Sequence, residues 1–347
     1  MMRCVRIIGI VIGVIVIASQ VPFTAARQDE GDLPENVVLS PNGEMIAVAY
    51  GGSGKVEIWD RATQTLLHTL TAHTATAFPI AWNEDSTSLL TGSADGTIRQ
   101  WDVATWANTM TIELSQFQGV MDVDWSTDHS QLIAAITIGG VICFDATTGA
   151  ELYSASVGGY VLDMVWSPDK QYVAFPTSGG FIQIADSRTL EHITELEDQS
   201  QREKSGEMPI SSGLDMLWAV WSPDGSMVGG ADRDGMVQVW RVSDNAPVLA
   251  PTDITDSWIG PDMLPRAIAF NPDGQYFQAV SADGTLAVWN LNTGERVQSV
   301  SISDEYIYAA SFSTDGRQLI YTVGDGIAPL VVDLPAIPLS HTKPCCE

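Results

Sequence analysis

The most informative segment of the chain is LLTGSADGTIRQWD, at residues 89–102. Strand-forming residues stand on both sides of Asp95-Gly96, a pair that favours a tight hairpin turn because Gly accepts a positive φ. The second half ends on Trp101, a large apolar side chain that suits a buried strand position. The segment therefore predicts two antiparallel strands joined by a short turn and anchored by a tryptophan.

The same pattern occurs seven times along the chain. Each repeat has an apolar segment, a turn, a second apolar segment, a second turn and a third segment that ends in an anchor residue. The interval from the middle of the first turn to the anchor is 16 or 17 residues in every repeat. The first turns are centred on Asn42, Asp85, Asp128, Asp169, Asp224, Asp273 and Asp315, and the anchors are Trp59, Trp101, Phe144, Ala185, Trp240, Trp289 and Val332. So constant an interval indicates a true structural repeat.

A fourth strand fits between each anchor and the next repeat. Units of four short antiparallel strands bury their faces when they stack radially, which is the β-propeller arrangement. We predict an all-β, seven-bladed propeller with four-stranded antiparallel blades, preceded by an N-terminal signal or anchor helix. The propeller is predicted at residues 35–341, with blades near 35–73, 74–115, 116–156, 157–198, 211–252, 262–302 and 303–341.

Residues 89–102 resemble a WD repeat almost letter for letter, and Trp59-Asp60 carries the same dipeptide. On these motifs the chain is identified as a member of the WD-repeat β-propeller family, of the bacterial-type exported kind. The resemblance implies a buried hydrogen-bond chain in blade two with a structural role. Its members are His73, Thr91, Asp95 and Trp101.

The other blades lack parts of this set. Gly230 and Ala279 stand where Thr91 aligns, and blades three, four and seven end on an anchor other than Trp. We expect these blades to rely on apolar packing around their anchors. Blade seven also leaves the closure of the ring open, because its outermost strand is either residues 336–340, which we favour, or the segment that follows the leader.

The N-terminus carries a targeting signal. Arg3 and Arg6 precede an apolar run at residues 7–18, and small residues at 24–26 lead into a polar, acidic linker at 27–34. This pattern is typical of a signal peptide at residues 1–26, cleaved after Ala26, and the alternative is an uncleaved membrane anchor. Either reading places the propeller outside the cytoplasm, secreted or tethered to the outer side of the cytoplasmic membrane. Residues 342–347 are predicted to be a C-terminal tail.

The composition limits the partners. The net charge is -27 because 43 acidic residues face only 16 basic ones. Such a chain repels phosphate backbones and anionic lipids. We therefore expect a protein partner, no nucleic acid, membrane contact only through an uncleaved N-terminal segment, and a monomer.

No catalytic motif emerges. Residues 51–55 read GGSGK, but Ala49 and Val56 break the phosphate-loop pattern. The histidines show no metal-ligand spacing, and Asp122 with Asp124 supplies too few ligands for a hard cation. We predict no catalytic residue, no metal site, no cofactor and no enzymatic activity.

Two connections between blades are longer than the others, at residues 197–212 and 251–264. Both join the outer strand of one blade to the inner strand of the next, so they emerge on the same face of the ring. Binding specificity often resides in loops on a rigid scaffold. The candidate partner-binding residues are Trp258, Ile259, Met263, Arg202 and Met208. The alternative is that the second loop folds down over blades five and six.

These observations favour a non-catalytic protein-interaction scaffold. Its predicted binding surface is the loop-bearing face with the two insertions. The alternative is a propeller enzyme or a sensor of small ligands or metals, with its site at the mouth of the central channel.

Overall fold

The structure of the chain is a computed structural model. It describes residues 32–114, 119–126, 129–137, 140–157, 160–197, 216–233, 235–254, 264–313, 316–323 and 328–336. The predicted leader, most of the linker, the candidate binding residues of both insertions, and the tail lie outside the described residues. The predicted fold class is confirmed: the chain forms a seven-bladed, all-β propeller with antiparallel blades.

Each of the first four blades contains four strands in sequential order. Blade one comprises β1 (Pro34–Leu39), β2 (Met45–Tyr50), β3 (Val56–Asp60) and β4 (Leu66–Leu70), and blade two comprises β5 (Ala77–Trp82), β6 (Ser88–Ser93), β7 (Thr97–Asp102) and β8 (Asn108–Glu113). Blade three comprises β9 (Val120–Trp125), β10 (Gln131–Ile136), β11 (Gly140–Asp145) and β12 (Glu151–Ser156), and blade four comprises β13 (Val165–Trp166), β14 (Tyr172–Pro176), β15 (Phe181–Asp186) and β16 (His192–Glu197).

Blades five and six have the same order, and blade seven shows three strands within the described residues. Blade five comprises β17 (Met216–Trp221), β18 (Met227–Asp232), β19 (Met236–Arg241) and β20 (Ala246–Asp253), and blade six comprises β21 (Pro265–Phe270), β22 (Tyr276–Ser281), β23 (Thr285–Asn290) and β24 (Arg296–Ser301). Blade seven comprises β25 (Ile307–Phe312), β26 (Gln318–Val323) and β27 (Leu330–Asp333).

The anchors occupy one position of the repeat. Each lies on the third strand of its blade, opposite the same position of the second strand. The pairs are Ile46 with Trp59, Leu89 with Trp101, Leu132 with Phe144, Val173 with Ala185, Val228 with Trp240, Phe277 with Trp289 and Leu319 with Val332. The constant interval in the sequence thus corresponds to a constant strand register.

The turn after the third strand explains the Asp of the Trp-Asp dipeptide. Oδ1 of Asp102 accepts hydrogen bonds from the backbone N–H and the hydroxyl of Thr105, at 2.8 and 2.6 Å. These bonds lower the pKa of the Asp102 carboxyl. The same Asp-x-x-Thr turn occurs in blades one, three and four, at Asp60–Thr63, Asp145–Thr148 and Asp186–Thr189. Both bonds need only an acceptor oxygen, and in blade six Asn290 Oδ1 supplies it, since it accepts from the backbone N–H of Thr293 at 3.2 Å.

The ring closes between blades seven and one. The first strands contact one another from blade one to blade three and from blade four to blade seven, and β25 packs against β1. Val37 and Trp59 share an apolar cluster with Ile320. Nη2 of Arg61 also donates to Gln318 at 2.6 Å. The predicted outer strand at 336–340 lies largely outside the described residues and stays a prediction.

Candidate functional site at the channel mouth

The inner strands carry a recurrent irregularity. In six blades a β-bulge interrupts the pairing of the first and second strands near the start of the first. Blade four has an isolated bridge between Val161 and Thr177 instead, followed by β13. We take one residue from the irregular position of each blade and call this set the mouth residues. They are Glu35, Phe78, Met121, Leu162, Leu217, Arg266 and Tyr308.

These residues surround one end of the channel. Each inner strand begins where the connection from the preceding blade ends. The bulges near these starting points therefore lie on the face that carries the connections. We call it the loop face, and the opposite side the turn face. The strands β16 and β20, which precede the two insertions in the sequence, end on the side of the loop face.

The mouth has two different halves. Blades two to five contribute apolar side chains, all of them partly exposed. Blades six, seven and one contribute Arg266, Tyr308 and Glu35. Next to the apolar half, Tyr160 is 60% exposed. Partly exposed apolar and aromatic side chains in a concave rim are typical of surfaces that bind other proteins.

The polar half is held in place by aromatic contacts. Nη2 of Arg266 donates to the Tyr306 hydroxyl at 2.6 Å, and the guanidinium lies 5.4 Å from the centre of that ring. Tyr306 in turn packs edge-on against Tyr308, with ring centres 4.9 Å apart. Burial raises the pKa of Glu35, and the positive charge of Arg266 partly offsets that effect. The guanidinium is therefore fixed in orientation at the rim.

The hydrogen-bond chain expected in blade two is present. The Trp101 indole Nε1–H donates to Oγ1 of Thr91 at 3.0 Å, and Oγ1 lies 2.8 Å from Nε2 of His73. Nδ1 of His73 lies 3.2 Å from Asp95 Oδ2. Asp95 also accepts from Thr97 Oγ1 at 2.7 Å. The four residues form a continuous line from the core to the loop face.

The directions of these bonds follow from the chemistry of each group. The Asp95 carboxylate only accepts, so His73 donates from Nδ1 and its Nε2 accepts the Thr91 hydroxyl proton. That assignment requires a neutral imidazole. Burial lowers the pKa of His73, and the neighbouring Asp95 partly opposes this effect. A neutral, buried histidine whose nitrogens are both bonded is a structural group.

Blade one uses a different network that sequence reasoning missed. The Glu57 carboxylate accepts from Tyr50 Oη at 2.8 Å and from Trp59 Nε1 at 3.2 Å. Lys55 Nζ lies 3.1 Å from Glu57 and 3.2 Å from Asp32. The sequence signal for this network is Glu57, an acidic residue two positions before the anchor Trp59. The network fixes Asp32, and with it the entry of the chain, to the loop face.

The anchors of blades three to six are buried without a matching polar chain, and Val332 of blade seven is partly exposed. Phe144, Trp240 and Trp289 lie in apolar clusters. Nε1 of Trp240 is buried and has no hydrogen-bond partner among the described residues. Gly230, the residue that aligns with Thr91, offers no side-chain acceptor. The expected reliance on apolar packing matches this geometry.

The channel wall beneath the mouth is acidic at blades three and four. Asp122 and Asp163 occupy equivalent positions directly after Met121 and Leu162. Asp124 lies two residues further along β9. Burial raises the pKa of all three carboxyls. In the described part of the chain, no group of three His, Cys, Asp or Glu side chains is arranged to hold a metal ion.

The described ranges contain no helix long and apolar enough to cross a membrane. Trp258, Ile259, Met263, Arg202 and Met208 lie outside them, so their role as a binding surface stays a prediction.

Two segments of the chain match a known repeat family. The family model "WD domain, G-beta repeat" matches residues 64–102 and 259–290. The first match contains the complete hydrogen-bond chain of blade two, and the second ends one residue after Trp289, the anchor of blade six.

Curated relatives are distant and eukaryotic. The WD repeat-containing protein slp1 of Schizosaccharomyces pombe is 26% identical over 66% of this chain and 54% of slp1. THO complex subunit 3 of Arabidopsis thaliana is 24% identical over 66% of this chain and 80% of that protein. The serine-threonine kinase receptor-associated protein of Gallus gallus is 24% identical, over 69% of this chain and 61% of its own length. The chain thus spans about half the length of slp1. These relatives do not address the bacterial-type, exported character expected from the sequence.

Among solved structures, the β-propeller domain of Cps50 (Swd1) from Myceliophteria thermophila matches with a TM-score of 0.67. The match covers 90% of this chain and 99% of that domain at 16% identity. At this identity the likeness concerns the fold alone.

Proposed function

We propose that this WD-repeat propeller is a non-catalytic protein-interaction scaffold that works outside the cytoplasm. Its partner binds the loop face, over the apolar half of the mouth and the two insertions. The observation that carries the proposal is the concentration of partly exposed apolar side chains there, next to the exposed Tyr160. Tyrosine is enriched at protein interfaces because its ring adds contact area at a low entropic cost.

Relatives and charge support the same conclusion. The names of two relatives, a THO complex subunit and a kinase receptor-associated protein, describe association with other proteins. The net charge of -27 disfavours nucleic acid and anionic membranes as partners. A protein that offers an apolar segment to the mouth fits both observations.

The proposed export rests on the leader. Asp32, the first described residue, is held at the loop face by Ser53 and Lys55. An uncleaved anchor would therefore bring the loop face towards the membrane, whereas cleavage would leave it open. Intact-mass measurement of the protein made in an exporting host distinguishes the two, and we expect a mature N-terminus at Arg27.

The binding face is tested with two matched variants. Tyr160→Ala removes an exposed side chain at the mouth, and Ile193→Ala removes an aliphatic side chain that is 52% exposed on β16, outside the mouth. The readout is quantitative recovery of cross-linked partners from the native extracytoplasmic fraction. We expect Tyr160→Ala to reduce recovery of at least one partner about tenfold, which is a typical loss for an interface hot spot. Equal recovery by both variants would contradict the proposed face.

A second candidate function, binding of a small ligand at the mouth, draws on the polar half. The oriented Arg266 guanidinium next to Tyr306 and Tyr308 resembles the few convergent polar groups of ligand sites. Thermal-shift measurements with small carboxylic acids test it. Stabilisation of the wild type that Arg266→Gln abolishes would favour this candidate, and no stabilisation would eliminate it.

A further inference from the structure

Blade four has the least regular inner strand of the ring. Its strand β13 contains two residues, whereas the inner strands of the other blades contain six. The residues before it are joined to β14 by one isolated bridge, between Val161 and Thr177. Between that bridge and β13, sheet pairing does not hold the backbone.

Two carboxyl groups hold it instead. The Met164 N–H donates to Asp122 Oδ2 at 2.7 Å and to Asp163 Oδ1 at 3.0 Å. Asp122 belongs to blade three, so its bond crosses the interface between blades three and four. Side chains here replace the backbone ladder that fixes the equivalent residue of other blades.

The second carboxyl group extends the contact to blade five. Oδ2 of Asp163 accepts the Ala219 N–H of β17 at 3.0 Å. Asp163 in blade four thus makes the same kind of contact as Asp122 in blade three, since each accepts a hydrogen bond from the backbone of the next blade. Together the pair joins the inner strands of three successive blades.

The pair needs a proton. Oδ2 of Asp122 and Oδ1 of Asp163 accept from the same N–H group, that of Met164, so the two carboxyl groups lie side by side. Two ionised carboxylates at such a separation repel each other. Burial raises the pKa of Asp122, and the charges of Asp163 and Asp124 raise it further. The positive groups on this side are Lys170 and His129, and they act on Asp124.

We propose that the Asp122–Asp163 pair is a protonation-dependent latch that fixes the inner strand of blade four to blades three and five. When the latch is closed, one carboxyl O–H donates to the other carboxylate, and oxygens of both groups accept the backbone N–H groups of Met164 and Ala219. When a hydroxide or buffer base takes that proton into the channel water, the two negative charges separate and residues 161–166 open. The proton is the only group transferred.

The direction of the pH dependence follows from linkage. The pKa values of the closed pair lie above the ordinary Asp value of about 4. The stabilisation is therefore complete below that value and is lost as the pH rises through the raised pKa. The latch is closed in mildly acidic surroundings and weakened in alkaline ones.

Hydrogen–deuterium exchange of the full chain tests the latch. Protection of residues 161–166 is compared with that of β21 in the same molecule, at about pH 5 and about pH 7, after correction for intrinsic exchange. We expect the ratio of the protection of residues 161–166 to that of β21 to fall at least about tenfold from the lower to the higher pH. The reason is that the equilibrium constant of an opening linked to one proton changes about tenfold per pH unit. A wild-type ratio that is constant within about twofold would overturn the proposal.

Two variants sharpen the test. Asp122→Asn supplies an amide that donates to Asp163 without a titrating proton, so its ratio should vary less than about threefold over the same range. Asp169→Asn is the matched control, because Asp169 is an exposed acid on the turn face of the same blade. This control should show the same fall in the protection ratio as the wild type. The same fall in Asp122→Asn as in the wild type would also overturn the latch.

Discussion

Blades two and four show how one repeat unit can be held together by opposite chemistry. In blade two, a neutral histidine links the anchor Trp101 through Thr91 to an ionised Asp95. In blade four, the anchor is Ala185, and carboxyl groups from two blades hold the inner strand. The second arrangement involves carboxyl groups whose pKa burial raises above the ordinary Asp value. Burial instead lowers the pKa of His73 in blade two, so we expect the two blades to respond differently to pH.

The largest expected effect concerns the two anchors. Trp101→Ala should lower the free energy of unfolding by about 3–5 kcal/mol, because it removes a large buried ring and leaves a cavity. Ala185→Gly, at the equivalent position of blade four, should cost only about 0.5–1 kcal/mol. Urea unfolding of both variants checks the comparison. A cost below about 1.5 kcal/mol for Trp101→Ala would show that blade two does not depend on its anchor.

The next effect isolates the hydrogen-bond chain from the packing. Thr91→Val keeps the shape but leaves Trp101 Nε1 and His73 Nε2 without their partner, which should cost about 1–3 kcal/mol. Thr109→Val on the exposed strand β8 is the control and should stay within about 0.5 kcal/mol of the wild type. If the two variants were equally stable in urea, the hydrogen-bond chain would contribute nothing to the stability of blade two.

A third prediction is that the stabilities of the two blades respond to pH in opposite directions. Because burial lowers the folded-state pKa of His73, its stabilisation is present above the ordinary histidine pKa and is lost as the pH falls through the lowered one. Blade two should therefore weaken on acidification, whereas blade four should tighten. An NMR titration of the His73 ring should give a pKa below about 6.5 with the proton on Nδ1. A pKa above that value would remove the contrast.

The smallest expected effect shows what the two blades share. Asp102→Asn and Asp186→Asn each weaken the same Asp-x-x-Thr turn, so they should lower the melting temperature by similar, small amounts. Each loss should be smaller than that of Thr91→Val, because both turns are exposed. Differential scanning calorimetry provides the measurement. A clearly larger loss in blade four would mean that its turn also compensates for the missing Trp.

Local signals made the fold predictable. The turn residues and the anchors stand at a fixed interval, and that interval is a fixed strand register in the structure, for example between Leu89 and Trp101. The set of His73, Thr91, Asp95 and Trp101 followed from the resemblance of one repeat to a known family. The Asp-x-x-Thr turn is equally local, because its acceptor and donor stand three residues apart, although the sequence analysis did not predict it.

The remaining features depend on neighbours that are distant in sequence. Asp122 was considered only as a cation ligand together with Asp124, yet its partners are Met164 and Asp163 of the next blade. The contact of Asp32 with Lys55 likewise depends on how the chain enters blade one. Ring geometry brings these groups together, and no spacing within one repeat encodes it.

The most direct test of the proposed function is site-specific photo-cross-linking in the intact, exporting cell. A photoreactive phenylalanine replaces Tyr160 at the mouth in one protein and Ile193 on β16 in another. We predict a discrete adduct with a second protein from position 160 and none from position 193. No adduct from position 160, or the same adducts from both positions, would contradict a partner-binding loop face.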